Sequence, residues 1–297
     1  MFPSDIQIIA IPAFVVGVVL LWKGSDMLVD GVSKAAAQLG VSTLIISVLL
    51  VGFGTSSPEF AISVGAAVEK HSAISLGNII GSCVANLLLV LGISSIIRPI
   101  KVQGGIIKRE MPILLAATAV LVAFSALSLL DKYHLIGGAL FLIFFLLFVL
   151  FFVYCARKER DNNHKMETGK TAQNIFFIML GIVLLVGGAW LLIESATTLA
   201  ALLNISPFVI ALSMVAIGTS LPELVVSVVA AFRGEADIAV GNVLGSNVFN
   251  ILLILGFAAL FIPLGAIGSM DNLLILLSLI HISEPTRPLY ISYAVFC

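Results

Sequence analysis

Charged residues are scarce in this sequence: Asp, Glu, Lys and Arg together make up 10% of its 297 residues, against 60% hydrophobic ones. Mean hydropathy is +1.19. That balance excludes an ordinary soluble domain, where about a quarter of residues carry charge. The few charges nearly cancel, 15 basic against 16 acidic, so net charge gives no argument for nucleic acid, and no such partner is expected. Cysteine is almost absent. Cys83, Cys155 and Cys297 have neither the pairing of a disulfide framework nor the spacing of a metal site. Histidine is nearly as rare, and His71, His134, His164 and His281 fall at or near the ends of apolar segments, where interfacial or loop roles are ordinary. The N-terminus, Met1-Phe2-Pro3-Ser4-Asp5, lacks the basic region and cleavage site of a signal peptide, so the first apolar stretch is expected to remain as a helix.

What fills the chain instead is apolar stretches of about 20 residues, each enough to cross a bilayer core of roughly 30 Å. The pattern predicts helices over 6–39, 42–69, 72–97, 111–130, 134–156, 172–203, 206–232 and 237–262, with a ninth beginning near 271. The second, third, seventh and eighth carry Gly or Pro near their middles and are expected to break there. Such breaks survive at membrane depth only where protein or a cavity satisfies the freed backbone groups. The loop around 98–109 carries Arg98, Lys101, Lys108 and Arg109, and the linker at 157–171 carries Arg157, Lys158, Arg160, Lys165 and Lys170. Both are expected on the cytoplasmic side, which places the N-terminus of a multi-pass membrane protein outside.

The polar residues inside these stretches repeat. Gly54-Thr55-Ser56-Ser57-Pro58-Glu59 returns as Gly218-Thr219-Ser220-Leu221-Pro222-Glu223, an offset of 164 (218 less 54). Comparing 42–92 with 206–256 gives 23 identities in 51 positions without a gap. Shared apolar composition produces matching Leu and Val; it does not produce matching Thr, Ser, Pro, Glu and Asn at one offset. The correspondence extends into the first and sixth helices, where Gly17, Leu20, Gly24 and Leu28 match Gly181, Leu184, Gly188 and Leu192. Five helices separate equivalent points, an odd number, so the second copy crosses the membrane in the opposite sense. This is the inverted-repeat plan of secondary transporters, with the site near the midplane where the halves meet.

Each half supplies two polar stripes at i, i+4, i+8, a spacing that puts them on one helix face. Thr55, Glu59 and Ser63 are repeated as Thr219, Glu223 and Ser227; Asn78, Ser82 and Asn86 are repeated as Asn242, Ser246 and Asn250. Pro58 and Pro222 have no N–H, which frees carbonyls at or near Gly54 and Gly218. The donor set is oxygen throughout, two carboxylates with hydroxyls, amides and carbonyls. Hard cations such as Ca²⁺ and Na⁺ want oxygen, whereas a soft transition metal would recruit Cys or His. For Ser63 and Ser227 a bond back to the helix backbone is the plainer role. Asn78 and Asn242 read equally as capping or interhelical contacts. Asp26, Asp30 and Glu194 read as solvated or packing residues. Glu59 and Glu223 have no basic residue within their motifs, and an unpaired midplane carboxylate costs on the order of 3 kcal/mol. They read as functional.

Gly-Thr-Ser-x-Pro-Glu followed by Gly-Asn-x-x-Gly-Ser-x-x-x-Asn, present twice in order, resembles the α-repeats of the sodium/calcium exchanger family, the cation/Ca²⁺ antiporters, and particularly their bacterial and archaeal members. The resemblance covers about residues 6–262. It implies an all-α inverted-repeat transporter of two five-helix halves, ten helices in all, and no enzyme. Glu59 and Glu223 would be the central carboxylates. Thr55, Ser56, Ser82, Asn86, Thr219, Ser220, Ser246 and Asn250 would complete the ligand set, with carbonyls near Gly52 and Ala216. Asn250 stands where the family commonly has aspartate, and Cys83 stands opposite Asn247, one position outside the stripe, as a packing substitution. The implied activity is secondary-active exchange of Na⁺ for Ca²⁺ by alternating access, in a prokaryotic plasma membrane. The transported ions and membrane lipid would be the partners, with no cofactor and no protein partner. H⁺- or K⁺-coupled exchange, a cation channel and, last, an intramembrane hydrolase remain the rivals.

The organisation expected is a first repeat at 6–156, a cytoplasmic linker at 157–171, a second repeat at 172–280 and a tail at 281–297. The ninth helix starts at Asn272-Leu273-Leu274 and dissolves into Ser283-Glu284-Pro285-Thr286-Arg287-Pro288, a poor membrane span. The second half is therefore expected to be cut short there and the tail to be non-native.

Overall fold

A computed structural model describes residues 4–99, 104–127, 129–162, 171–203 and 218–264. Among them the elements are all helical: α1 (Ser4–Leu39), α2 (Thr43–Thr55), α3 (Ser57–Val68) and α4 (Ser72–Ile97), α5 (Gly104–Ala126), α6 (His134–Asn162), α7 (Thr171–Leu202), α8 (Leu221–Arg233) and α9 (Ala236–Phe261). Five of them, α1, α4, α6, α7 and α9, are each long and apolar enough to cross a membrane, and α2 with α3 makes a sixth span bent by 48°. The expected ninth helix, the 281–297 tail and most of the first half of the seventh helix lie outside the described residues.

Burial sorts these helices into an inner and an outer set. The apolar window of α9 is 83% buried, whereas those of α1, α6 and α7 are 28% buried. The outer helices turn apolar side chains outward, among them Trp22, Leu146, Leu150, Val183 and Trp190. Lipid is the solvent that accepts such a surface. Inward, α6 presents Phe141, Phe148 and Phe152, and Phe249 of α9 sits edge-on to Phe145 at 5.0 Å.

α1 and α7 run side by side with their backbones almost touching. Gly17, Gly24 and Gly31 recur every seventh residue, so one face of α1 carries them all. A Cβ at Gly24 would lie 2.8 Å from the Gly181 carbonyl oxygen, and one at Gly188 would lie 2.8 Å from the Leu21 nitrogen. Small residues at this spacing let membrane helices pack backbone to backbone.

Three expectations about the helices need correction. α4 and α9 do not break at their glycines. Each runs through and widens into a π-helical turn further along, at Asn86–Val90 in α4 and Phe249–Ile254 in α9. The glycines of α9 serve close approach instead: a Cβ at Gly241 would meet Ser47 Cβ at 2.8 Å, and one at Gly245 would fall onto the Val48 carbonyl. The fourth helix, expected from 111, starts at Gly104, roughly two turns earlier, so Lys108 and Arg109 are helical. Helix α6 likewise continues to Asn162, into the expected linker, because Arg157 to Arg160 are good helix formers beyond the apolar span.

Candidate functional site

The bend between α2 and α3 and the start of α8 have the same backbone. Ser56 has φ −79° and ψ 7°; Ser220 has φ −86° and ψ 7°. Each precedes a helix with proline in its first two positions and glutamate in its first turn. Proline is tolerated there because its missing N–H has no partner to lose, and the helix start carries a partial positive charge that favours a carboxylate. Glu59 and Glu223 are both fully buried.

Cross-packing of α2 and α9 brings the two halves together. Gly52 lies against the backbone of Gly245 and Ser246, where a Cβ would meet atoms at 2.9 Å. Thr55 Oγ1 thereby reaches Asn242 Oδ1 at 3.0 Å and Ser246 Oγ at 3.2 Å. The Ser246 hydroxyl in turn lies 3.5 Å from the Gly52 carbonyl. The carboxylates exchange partners across the seam: Ser56 Oγ donates to Glu223 Oε1 at 3.2 Å, and Ser220 Oγ to Glu59 Oε1 at 3.5 Å.

The stripe asparagines divide into two kinds. Asn242 Nδ2 donates to Ser227 Oγ at 3.0 Å and to the Glu223 carbonyl at 3.1 Å, while its oxygen accepts from Thr55. Asn78 does the same with Ser63 at 2.8 Å, the Glu59 carbonyl at 3.4 Å and Thr219 at 3.4 Å. Both are fully engaged, and both act as struts between a glutamate helix and its neighbour. Ser63 and Ser227 are acceptors in those struts, so the expected bond to their own helix backbone gives way to interhelical contacts. Asn86 and Asn250 are different. Their amide nitrogens are used, by Asn247 Oδ1 at 3.1 Å and Ser82 Oγ at 2.8 Å, and their oxygens are not.

Four buried oxygens from two equivalent pairs of positions are left without a hydrogen-bond donor: Oε2 of Glu59 and of Glu223, and Oδ1 of Asn86 and of Asn250. A buried acceptor left unpaired costs about 1–3 kcal/mol, more when charged. No Lys, Arg or His pairs with either glutamate among the described residues; Arg233 is engaged with Asp26 and Asp30, and Lys34 with Asp30. Buried acceptors with no donor suit a cation bound by oxygen.

All ten predicted site residues, Thr55, Ser56, Glu59, Ser82, Asn86, Thr219, Ser220, Glu223, Ser246 and Asn250, are buried. The hydrogen bonds tie Thr55, Ser56, Ser246 and Glu223 together through Asn242, tie Glu59, Thr219 and Ser220 together through Asn78, and pair Asn86 with Asn247 and Asn250 with Ser82. Sequence reasoning missed Asn247, read there as lying outside the stripe. It is 1% exposed, and its Nδ2 donates to the Cys83 carbonyl at 3.4 Å. Its amide side chain, next to Ser246 in an otherwise apolar stretch, was the available signal.

These features define a multi-pass membrane transporter of the inverted-repeat class, with buried oxygen acceptors contributed by both halves. The comparisons narrow that class. The family described as "Sodium/calcium exchanger protein" matches residues 9–154 and 173–284. The chain is 37% identical over 256 residues to "Putative antiporter CaxA" of Alkalimonas amylolytica, covering 84% of this chain and 79% of that protein. It is 35% identical over 290 residues to "Sodium/calcium exchanger MaX1" of Methanosarcina acetivorans, covering 84% and 82%. A structure of the sodium-calcium exchanger NCX_Mj, soaked with Na⁺ and Sr²⁺, superposes with a TM-score of 0.85 at 32% identity, covering 98% of this chain and 95% of that one. The chain belongs to the sodium/calcium exchanger family, a family of cation antiporters.

Proposed function

We propose that this protein exchanges Na⁺ for Ca²⁺ across a prokaryotic plasma membrane, with its N-terminus outside, by alternating access at the site between the two halves. The observation that carries this reading is the set of four donorless oxygens, two of them on carboxylates with no basic partner. Glu59 and Glu223 together neutralise one divalent ion. Asn86 and Asn250 contribute amide oxygens, and Thr55, Ser56, Ser82, Thr219, Ser220 and Ser246 contribute hydroxyls. Ca²⁺ accepts about 6–8 oxygens in flexible geometry, and the same oxygens in other groupings hold Na⁺, so the two ions compete.

The α1–α7 pair is the element that moves. It is packed on itself through glycines and meets the rest through side-chain contacts that can exchange. These include Ser25 with the Val225 carbonyl at 3.3 Å, Ser33 with Glu235 at 3.1 Å and the pairing of Arg233 with Asp26 and Asp30.

The test is Ca²⁺ uptake by Na⁺-loaded proteoliposomes. Uptake is expected to follow the outward Na⁺ gradient, to saturate with Ca²⁺ and to be lost in Glu59→Gln and Glu223→Gln. Uptake driven equally by a proton or K⁺ gradient would reject the coupling ion. Passive conductance above about 10³ ions per second would reject a carrier, whose cycle is limited by μs–ms motions.

A further inference from the structure

We propose that Asn247 is a positioning residue that aims the amide oxygen of Asn86 at the ion; this rests on the reading of Asn86 as an ion ligand. A side-chain amide has an acceptor end and a donor end, and only the oxygen can face a cation. Nothing in Asn86 itself decides which end points inward. Its neighbours decide. The Cys83 carbonyl can only accept, so Asn247 turns its Nδ2 toward it, 3.4 Å away. That leaves Asn247 Oδ1 facing Asn86, which answers with its own Nδ2 at 3.1 Å. Asn86 Oδ1 is sent the other way, and it is one of the buried oxygens without a donor.

The opposite half reaches the same result with a different residue. Ser82 commits its hydroxyl proton to the Ile79 carbonyl at 3.0 Å, so it can only accept from Asn250 Nδ2, at 2.8 Å. Asn250 Oδ1 is thereby left facing outward from the pair, again without a donor. In both halves a backbone carbonyl, acting through one polar side chain, fixes the polarity of an amide. Residue 83, the repeat partner of 247, is cysteine; its sulfur, a weak hydrogen-bonding group, also lies against the Asn250 amide, and the stronger acceptor there is the Ser82 hydroxyl.

The experiment replaces Asn247 by the residue its repeat partner carries, Asn247→Cys, with Asn247→Ala as a second variant, each made alone and with Asn86→Asp. A carboxylate has two equivalent oxygens and no polarity to set. Ca²⁺ binding is measured by calorimetry on purified, monodisperse protein, and Ca²⁺ half-saturation and maximal rate in proteoliposomes. In the otherwise unchanged protein, either replacement is expected to weaken Ca²⁺ binding about tenfold, the scale of one misdirected buried amide, with a smaller effect on maximal rate. With Asn86→Asp present, the same replacement is expected to change binding less than twofold, relative to the baseline of Asn86→Asp alone. An equal loss in both backgrounds would show that Asn247 merely supports packing and would overturn the proposal, as would no loss in either. Ca²⁺ binding without Na⁺-driven exchange would reject the proposed function while leaving this test intact. Absence of any Ca²⁺ binding would remove the site reading and this proposal together.

Discussion

Around Glu59 the molecule places Ser63, Asn78 and the hydroxyl of Ser220; around Glu223 it places Ser227, Asn242 and the hydroxyl of Ser56, in the same bonds. At the far ends of the same helices the correspondence fails. Both α3 and α8 close with one backbone pattern: Lys70 N and His71 N bond to the Ala67 and Ala66 carbonyls, and Gly234 N and Glu235 N bond to those of Ala231 and Ala230. The left-handed residue of that turn is Lys70 in one half, at φ 68°, and Gly234 in the other, at φ 81°. One residue earlier stands Glu69 in the first half and Arg233 in the second. Arg233 ties α8 to Asp26 and Asp30 of α1. On the other face the repeat partners of Arg233 and Asp30 are Glu69 and Glu194, two acids, and neither has an ion pair among the described residues. Repetition is therefore tight around the two buried glutamates and loose at the far ends of their helices.

The comparison can be broken at its centre first. Glu59→Gln and Glu223→Gln are each expected to reduce Na⁺-driven Ca²⁺ uptake on the order of 100-fold or more, the scale of removing one buried charge partner. The two losses should be equal within a few-fold; a large inequality would mean that the halves do not share one site. Next are the crossing hydroxyls. Ser56→Ala and Ser220→Ala are each expected to weaken Ca²⁺ binding about tenfold, since a hydrogen bond to a charged group is worth roughly 1.5–3 kcal/mol, and calorimetry reads this directly.

The faces should respond less, and unequally. Gly234→Ala places a Cβ at positive φ and against the Arg98 guanidinium, so about 1 kcal/mol of stability should be lost. Lys70→Gly relieves a left-handed lysine but removes its Nζ bond to the Phe261 carbonyl at 2.7 Å. These opposing terms, each about 1 kcal/mol, should leave stability nearly unchanged. Thermal unfolding in detergent distinguishes the two. The smallest effect on exchange is expected at the ion pairs. Arg233 is about a third exposed, where pairs contribute about 0.2–1 kcal/mol. Arg233→Gln should accordingly shift exchange kinetics about two- to fivefold, and Glu69→Gln less than twofold. Equal effects would remove the asymmetry between the faces.

Much of the site was legible before any coordinates. The offset that pairs Glu59 with Glu223 and the i, i+4, i+8 stripes follow from identity and helix period, which need only the order of residues. What the stripes could not show is which amides are spent. Asn78 and Asn86 lie on one helix face, yet one is consumed as a strut and the other keeps its oxygen free, because that depends on what the opposite half presents. Glycine misled for a related reason. In α9 it suggests a break in the helix, but Gly241 and Gly245 leave room for Ser47 and Val48 of α2, and sequence does not reveal what a missing side chain makes room for. The widened turns at Asn86 and around Asn250 carry no turn residue to announce them. They alter the register of one helix against its neighbours, a property of packing rather than of local propensity.

The hydroxyl that serves each glutamate belongs to the other copy of the repeat. Selection therefore cannot tune one copy alone: a change at Ser220 is felt at Glu59, on a segment 161 residues away. It also constrains ancestry. A protein holding only one copy of this segment would carry a carboxylate whose partner hydroxyl is missing, and a second molecule could supply it only by lying in the bilayer upside down. Any single-copy ancestor with a working site of this design had to insert both ways and pair with its own inverse before fusion made that arrangement heritable in one chain.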